Sequence, residues 1–211
     1  MAESLAQLVD PARAAVLLVD IQNDYCHPDG LIAQRGGDVS TVQDILGPVQ
    51  RLIVGARSAG VPLIWVRNWH EKWTDSPAWT ARRGGPGAAR AGSWGAEFWQ
   101  VQPAEDEPIV NKQRYSGFCG TRLDAVLHTF RRETLIMAGV ATNVCVESTA
   151  RDGLFLDYHI VFLSDCTATN DGPAAQEATL QNMRLHLGVV ATADEVVAAW
   201  QRQLVAAAAG A

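Results

Sequence analysis

What most constrains this chain is the alternation of two hydrophobic periods along it. Short, unbroken runs of branched apolar residues recur at Ala14-Ala15-Val16-Leu17-Leu18-Val19, at Val61-Pro62-Leu63-Ile64-Trp65-Val66, across Thr134–Gly139 and His159–Ser164, and more briefly at Gly188–Ala191. Runs of this kind read as strands covered on both faces, the situation of a parallel sheet. Between them the period becomes helical. From Ser40 to Ala59 the residues Val42, Ile45, Leu46, Val49, Leu52, Ile53 and Ala56 fall on one helical stripe. Arg122–Phe130, Asn143–Leu156, Ala174–Leu187 and Ala193–Leu204 also read as helices. Strand and helix in alternation predict an α/β fold: a single domain over residues 1–211, a three-layer α/β/α sandwich around a mostly parallel, roughly six-stranded sheet. Residues 69–107, rich in Gly, Pro, Arg and Trp, are too long for an ordinary connection and read as a lid or interface loop. Residues 206–211 read as a frayed tail.

Composition narrows the functional classes. With 48% hydrophobic residues the chain can bury a real core, and a net charge of −6 argues against a nucleic-acid partner, which would call for clustered Lys and Arg. The pair Arg82-Arg83 reads as solvated. No apolar stretch reaches the roughly 18 residues of a membrane span, and the N-terminus lacks a basic segment followed by an apolar run, so a cytoplasmic location is expected. The four cysteines, Cys26, Cys119, Cys145 and Cys166, are scattered without a CxxC pair, which predicts neither a zinc knuckle nor a disulfide framework.

In open parallel sheets, ligands bind beyond the carboxyl ends of the strands. The first strand closes on Asp20, followed by Ile21-Gln22-Asn23. The second runs into Asn68-Trp69-His70. The strand at Thr134 leads into Gly139-Val140-Ala141-Thr142-Asn143-Val144-Cys145-Val146, where a helix starts. A thiol at a helix start meets unpaired N–H groups and the positive end of the helix dipole, which favour a thiolate and can serve as oxyanion donors. Asp20 is a candidate base for the thiol proton. Lys112, one of two lysines, follows the apolar pair Ile109-Val110 and is a candidate charge partner. Cys119 and Cys166 read as packing or pocket wall.

These three segments resemble the isochorismatase-like cysteine hydrolases, the family of nicotinamidase, N-carbamoylsarcosine amidohydrolase, biuret hydrolase and ureidoacrylate amidohydrolase. The resemblance runs from Ala15 to about Leu187. It rests on Val19-Asp20-Ile21-Gln22-Asn23, on Lys112-Gln113-Arg114-Tyr115-Ser116-Gly117-Phe118 and on the Gly139–Val146 turn, found in that order. It implies a Rossmann-like, isochorismatase-like fold and an Asp20, Lys112, Cys145 triad. It also implies a cis peptide before Ala141 and an oxyanion hole from the backbone N–H groups of Ala141 and Cys145. Substrate contacts are expected from Asn68, His70, Gln22, Tyr115 and Trp94.

The implied activity is cysteine-dependent hydrolysis of a C–N bond in a small ureido or carbamoyl amide, through a thioester-type intermediate. The motifs look most like ureidoacrylate amidohydrolase, with Gln113 standing where that enzyme has proline. The alternatives are a biuret or triuret hydrolase, a nicotinamidase-like metal-assisted amidase, or a non-catalytic thiol protein. Nicotinamidases hold a metal with an Asp-x-His pair. Asn68-Trp69-His70 stands in that place here, so neither a metal nor a cofactor is expected. A homodimer or homotetramer is.

Overall fold

In the computed structural model, which describes residues 3–83 and 87–209, the apolar runs pair into one sheet. Its strands are β1 (Ala14–Val19), β2 (Leu63–Asn68), β3 (Ile109–Lys112), β4 (Thr134–Val140), β5 (His159–Ala168) and β6 (Val189–Ala191). They lie in the order β3-β2-β1-β4-β5-β6, and every neighbouring pair is parallel. The covering helices are α1 (Leu46–Ala59), α2 (Leu123–Thr129), α3 (Glu147–Phe155), α4 (Pro173–Asn182) and α5 (Ala193–Ala209). All residues of β1 and β4 are buried, because these strands have neighbours on both sides and helices on both faces.

Alternate residues of β1 serve opposite cores, as the two-residue period of a strand requires. Val16 and Leu18 pack with Val49 and Leu52 of α1 and Trp200 of α5. Ala15, Leu17 and Val19 pack with Leu123 of α2, Ala150 of α3 and Leu180 of α4. The three-layer sandwich read from the alternating periods is therefore the architecture found, with a sheet that is parallel throughout.

The differences from the sequence reading are local. The predicted Ser40–Ala59 helix is two helices, Ser40–Asp44 and α1, meeting at Ile45. Pro48 falls in the first turn of α1, where its missing N–H costs nothing. The segment Ile109–Lys112, noted only for its apolar pair, is edge strand β3, too short to show a period. Strand β5 runs four residues past Ser164. Its register against β4 jumps from Met137↔Phe162 to Gly139↔Thr167, so β5 bulges and carries its exit toward the site. Helix α5 continues through Ala209, taking in residues read as frayed. The side chains of Arg82 and Arg83, and the last two residues of the predicted tail, lie outside the described residues.

The long segment after β2 is fastened to the exit of β1 over its second half. Asn23 donates to the Glu97 carbonyl at 2.9 Å and Trp99 to the Ile21 carbonyl at 3.0 Å, while Ala89 donates to the Asp24 carboxylate at 2.7 Å. No helix among the described residues is long and apolar enough to cross a membrane.

Candidate active site

The strand order reverses direction between β1 and β4, and at such a switch point the two strand exits part to leave a crevice. Register places Val19 beside both Val66 and Gly139, and Asn68 beside Lys112. The exits of β1, β2, β3 and β4 therefore meet at one edge. Gly139 lets β1 and β4 approach there: its φ is 122°, and a Cβ on it would lie 2.0 Å from the Val19 carbonyl oxygen.

Asp20 leaves β1 with a left-handed φ of 53°, a conformation Asp tolerates better than most residues. Its carboxylate is buried and fully engaged. One oxygen accepts the Asn68 backbone N–H at 2.8 Å. The other accepts the Asn68 Nδ2 at 3.0 Å and lies 2.7 Å from Lys112 Nζ. Lys112 is wholly buried, and its ammonium has three hydrogens to place. It places them on Asp20, on Cys145 Sγ at 3.3 Å and on the Arg114 carbonyl at 3.1 Å. A buried cation with all three donors satisfied, one of them by a carboxylate, holds its charge. Burial alone pulls the Lys112 pKa down, but Asp20 and Cys145 outweigh it and the net direction is up.

Cys145 sits in a π-helical turn, Thr142–Val146, that runs directly into α3. Turns of this type are rare and recur at functional sites. The peptide bond Val140–Ala141 is cis, as the resemblance implied. Burial pushes the Cys145 thiol up to about 12, Lys112 pulls it down, and the charge and hydrogen bond of Asp20 push it up again. Lys112 and Asp20 therefore act on the Cys145 sulfur in opposite senses, the cation favouring the thiolate and the carboxylate the thiol.

Cys145, Asp20 and Ala141 line a cavity of about 320 Å³. Asn68 and Tyr115, expected at substrate, line it too. Gln22, His70 and Trp94 do not, for a reason visible in each. Gln22 is fully buried: its Nε2 donates to the Asn68 and Ala96 carbonyls at 2.9 and 2.7 Å, so it ties the end of β2 to the long segment. The buried His70 ring has its Nδ1 3.2 Å from Asp75. Trp94 is half exposed and packs edge-on against His27. Residues not foreseen complete the wall, chiefly Tyr25, Ile32, Arg35, Asn170 and Asp171. Arg35 lies in the irregular stretch after β1, and Asn170 and Asp171 after the bulged end of β5. The one available signal was position beyond a strand's carboxyl end. Cys166 is in the core, and Cys119 is exposed in a separate hollow beside Trp73 and Arg114.

The isochorismatase domain model matches residues 14–195. The chain belongs to the isochorismatase-like cysteine hydrolase family. Among solved structures of the family, a cysteine hydrolase from Pseudomonas syringae is 30% identical, with 96% of this chain and 99% of that one covered at a TM-score of 0.83. An N-carbamoylsarcosine amidase from Thermoplasma acidophilum is 26% identical, covering 86% of this chain and 97% of that one at a TM-score of 0.72. A pyrazinamidase of Pyrococcus horikoshii, in complex with zinc, is 27% identical, covering 85% and 99% at 0.72.

The zinc in that last relative raises the question of a metal in this isochorismatase-family member. Its residues do not fit one. A neutral carboxamide, Asn68, stands where an Asp-x-His pair would have its carboxylate, with its Nδ2 donating to Asp20 and to the Tyr25 hydroxyl at 2.9 Å, and His70 Nδ1 lies 3.2 Å from Asp75. Among the described residues no three His, Cys, Asp or Glu side chains gather as a ligand set.

Proposed function

We propose that this protein is a cysteine amidohydrolase that cleaves a C–N bond of a small ureido or carbamoyl amide. The observation that carries the reading is the single buried cluster in which Lys112 touches both the Asp20 carboxylate and the Cys145 thiol, on the wall of a cavity sized for a small molecule.

In this mechanism Asp20 takes the thiol proton as Cys145 Sγ attacks the substrate carbonyl carbon. Lys112 holds the sulfur's negative charge while it lasts, which lets a thiol of pKa about 12 act at neutral pH. The tetrahedral oxyanion is received by the backbone N–H groups of Ala141 and Cys145. Asp20 then returns its proton to the leaving nitrogen, the C–N bond breaks and an acyl-enzyme thioester or thiocarbamate remains. Water adds to that carbonyl, gives a proton to Asp20, and the S–C bond breaks to restore the thiol.

Between the ureidoacrylate-like and biuret-like readings, Arg35 favours the first. It is a cation on the cavity wall, and a guanidinium pairs with a carboxylate, which a ureido acid carries and biuret lacks. A cytoplasmic homo-oligomer remains part of the proposal; the exposed apolar side chains Phe155, Leu156 and Leu185 offer a surface for a second copy.

The test is ammonia release across ureidoacrylate, N-carbamoylsarcosine, biuret, triuret and nicotinamide, with mass spectrometry of Cys145 during turnover. A substrate-derived acyl adduct on Cys145, and loss of turnover in a folded Cys145→Ala variant, are expected. Full turnover in that variant, or no release from any of the compounds, would overturn the proposal.

A further inference from the structure

Strand β3, which carries Lys112, and strand β4, which delivers Cys145, are not neighbours. Strands β2 and β1 lie between them, so at about 4.8 Å per strand the two backbones are roughly 14 Å apart in the sheet. The 3.3 Å contact between Nζ and Sγ is made by the long side chain of the last residue of β3 and by the turn after β4. The sheet alone does not fix how those two pieces meet.

We infer that Thr149 is a positioning residue for the proposed reaction, its hydroxyl locking the nucleophile turn to the lysine loop. Thr149 is wholly buried on α3. Its Oγ1 donates to the Cys145 carbonyl at 2.7 Å and accepts the Gly117 N–H at 2.9 Å. A hydroxyl has a single hydrogen, so the donor is committed to the nucleophile residue's own backbone and the acceptor to the loop. The same loop is gripped near its start by Lys112, through the Arg114 carbonyl. At its far end the Gly117 carbonyl accepts the Thr121 hydroxyl, which in turn accepts the Leu123 N–H at the head of α2. Four hydrogen bonds thus link the head of α2, by way of Gly117 and Thr149, to the Cys145 backbone. The approach is tight at Gly117, where a Cβ would sit 3.1–3.2 Å from Leu123, Val66 and the Thr149 methyl.

Thr149→Val keeps the shape and removes the hydroxyl, so it lets the loop and the turn shift relative to each other. Small misplacements of a catalytic pair cost up to about 100-fold. The expected result is a kcat lowered about 10- to 100-fold with KM within about threefold, restored by Thr149→Ser to within about threefold of wild type, since serine keeps the hydroxyl. The inference rests on the amidohydrolase reading, so a second arm is independent of turnover. Iodoacetamide alkylation at pH 8 is followed by peptide mass spectrometry, with exposed Cys119 as the reference site. Cys145 should alkylate at least about fivefold more slowly in Thr149→Val, because a thiol less well placed against Lys112 ionises less, and recover in Thr149→Ser. If Thr149→Val does not fold, Thr149→Ala takes its place in both arms. Wild-type kcat and alkylation in the hydroxyl-free variant, or Thr149→Ser as impaired as Thr149→Val, would overturn the inference. Failure of the amidohydrolase reading would show instead as a wild type that turns over no amide, with the alkylation arm still deciding the role of Thr149.

Discussion

The cavity has two unlike walls. One is the Asp20–Lys112–Cys145 cluster, buried, with its hydrogen-bonding groups engaged and anchored at the exits of β1, β3 and β4. The other is built from Ile32 and Arg35 after β1 and from Asn170 and Asp171 after β5, and Arg35 is exposed. The difference teaches where each kind of specificity resides. A buried, mutually satisfied ion pair tolerates no partial change, because removing one member strands the other without water. An exposed side chain keeps its hydration as an alternative, so changing it rescales affinity and leaves the chemistry alone.

The largest expected effect comes from breaking the buried wall. Lys112→Met deletes the charge that offsets Asp20 and the donor that faces Cys145. Turnover should fall by at least about 10³-fold, and urea denaturation should show a loss of about 3–5 kcal/mol, the usual penalty for an uncompensated buried charge. Adding Asp20→Asn should return part of that stability and none of the activity. If the double variant were as unstable as the single one, the ion pair would not be what holds this wall.

A subtler probe is pH. The Cys145 pKa is raised from 9.0 to about 12 and that of Lys112 is also raised, so the folded chain holds protons that the unfolded chain has released. Stability from these groups is complete below pH 9 and is lost as pH climbs above it, with a slope of up to about 1.4 kcal/mol per pH unit for each group. Urea midpoints between pH 8 and 10.5 should fall, and should fall less in Cys145→Ala. Equal slopes in the two proteins would mean that the thiol does not stay protonated in the fold.

The same contrast explains what could be read from the sequence. The buried wall was legible because its chemistry demands particular residue types at strand ends: Asp20 closing an apolar run, a lone lysine after another, a thiol entering a helix. The sheet was legible because β1 and β4, covered on both faces, read as unbroken apolar runs. Strand β3 was not, since four residues at a sheet edge carry no periodicity. Gln22, His70 and Trp94 lie off the cavity wall, because whether a polar side chain faces the cavity or ties two loops together depends on contacts made across the long segment. Arg35 and Asp171 were missed for a related reason. Their loops reach the cavity only because Ile32–Gly37 folds back near Asn170 and β5 bulges, and neither event has a local signature.

The exposed wall is where the smallest and most selective effect is expected. Arg35→Gln removes one positive charge at the cavity without touching the buried cluster. Asp171, on the same wall, accepts Asn143 Nδ2 at 2.8 Å and contributes an opposing charge, so the two outcomes are distinct. If Arg35 pairs with a substrate carboxylate, KM for a ureido acid should rise about tenfold, the scale of one charged hydrogen bond, with kcat within about twofold and any biuret turnover unchanged. If Asp171 cancels Arg35, the two substrates should respond alike, and the preference for an anionic substrate would have no source on this wall. Steady-state kinetics on the two compounds decides between them.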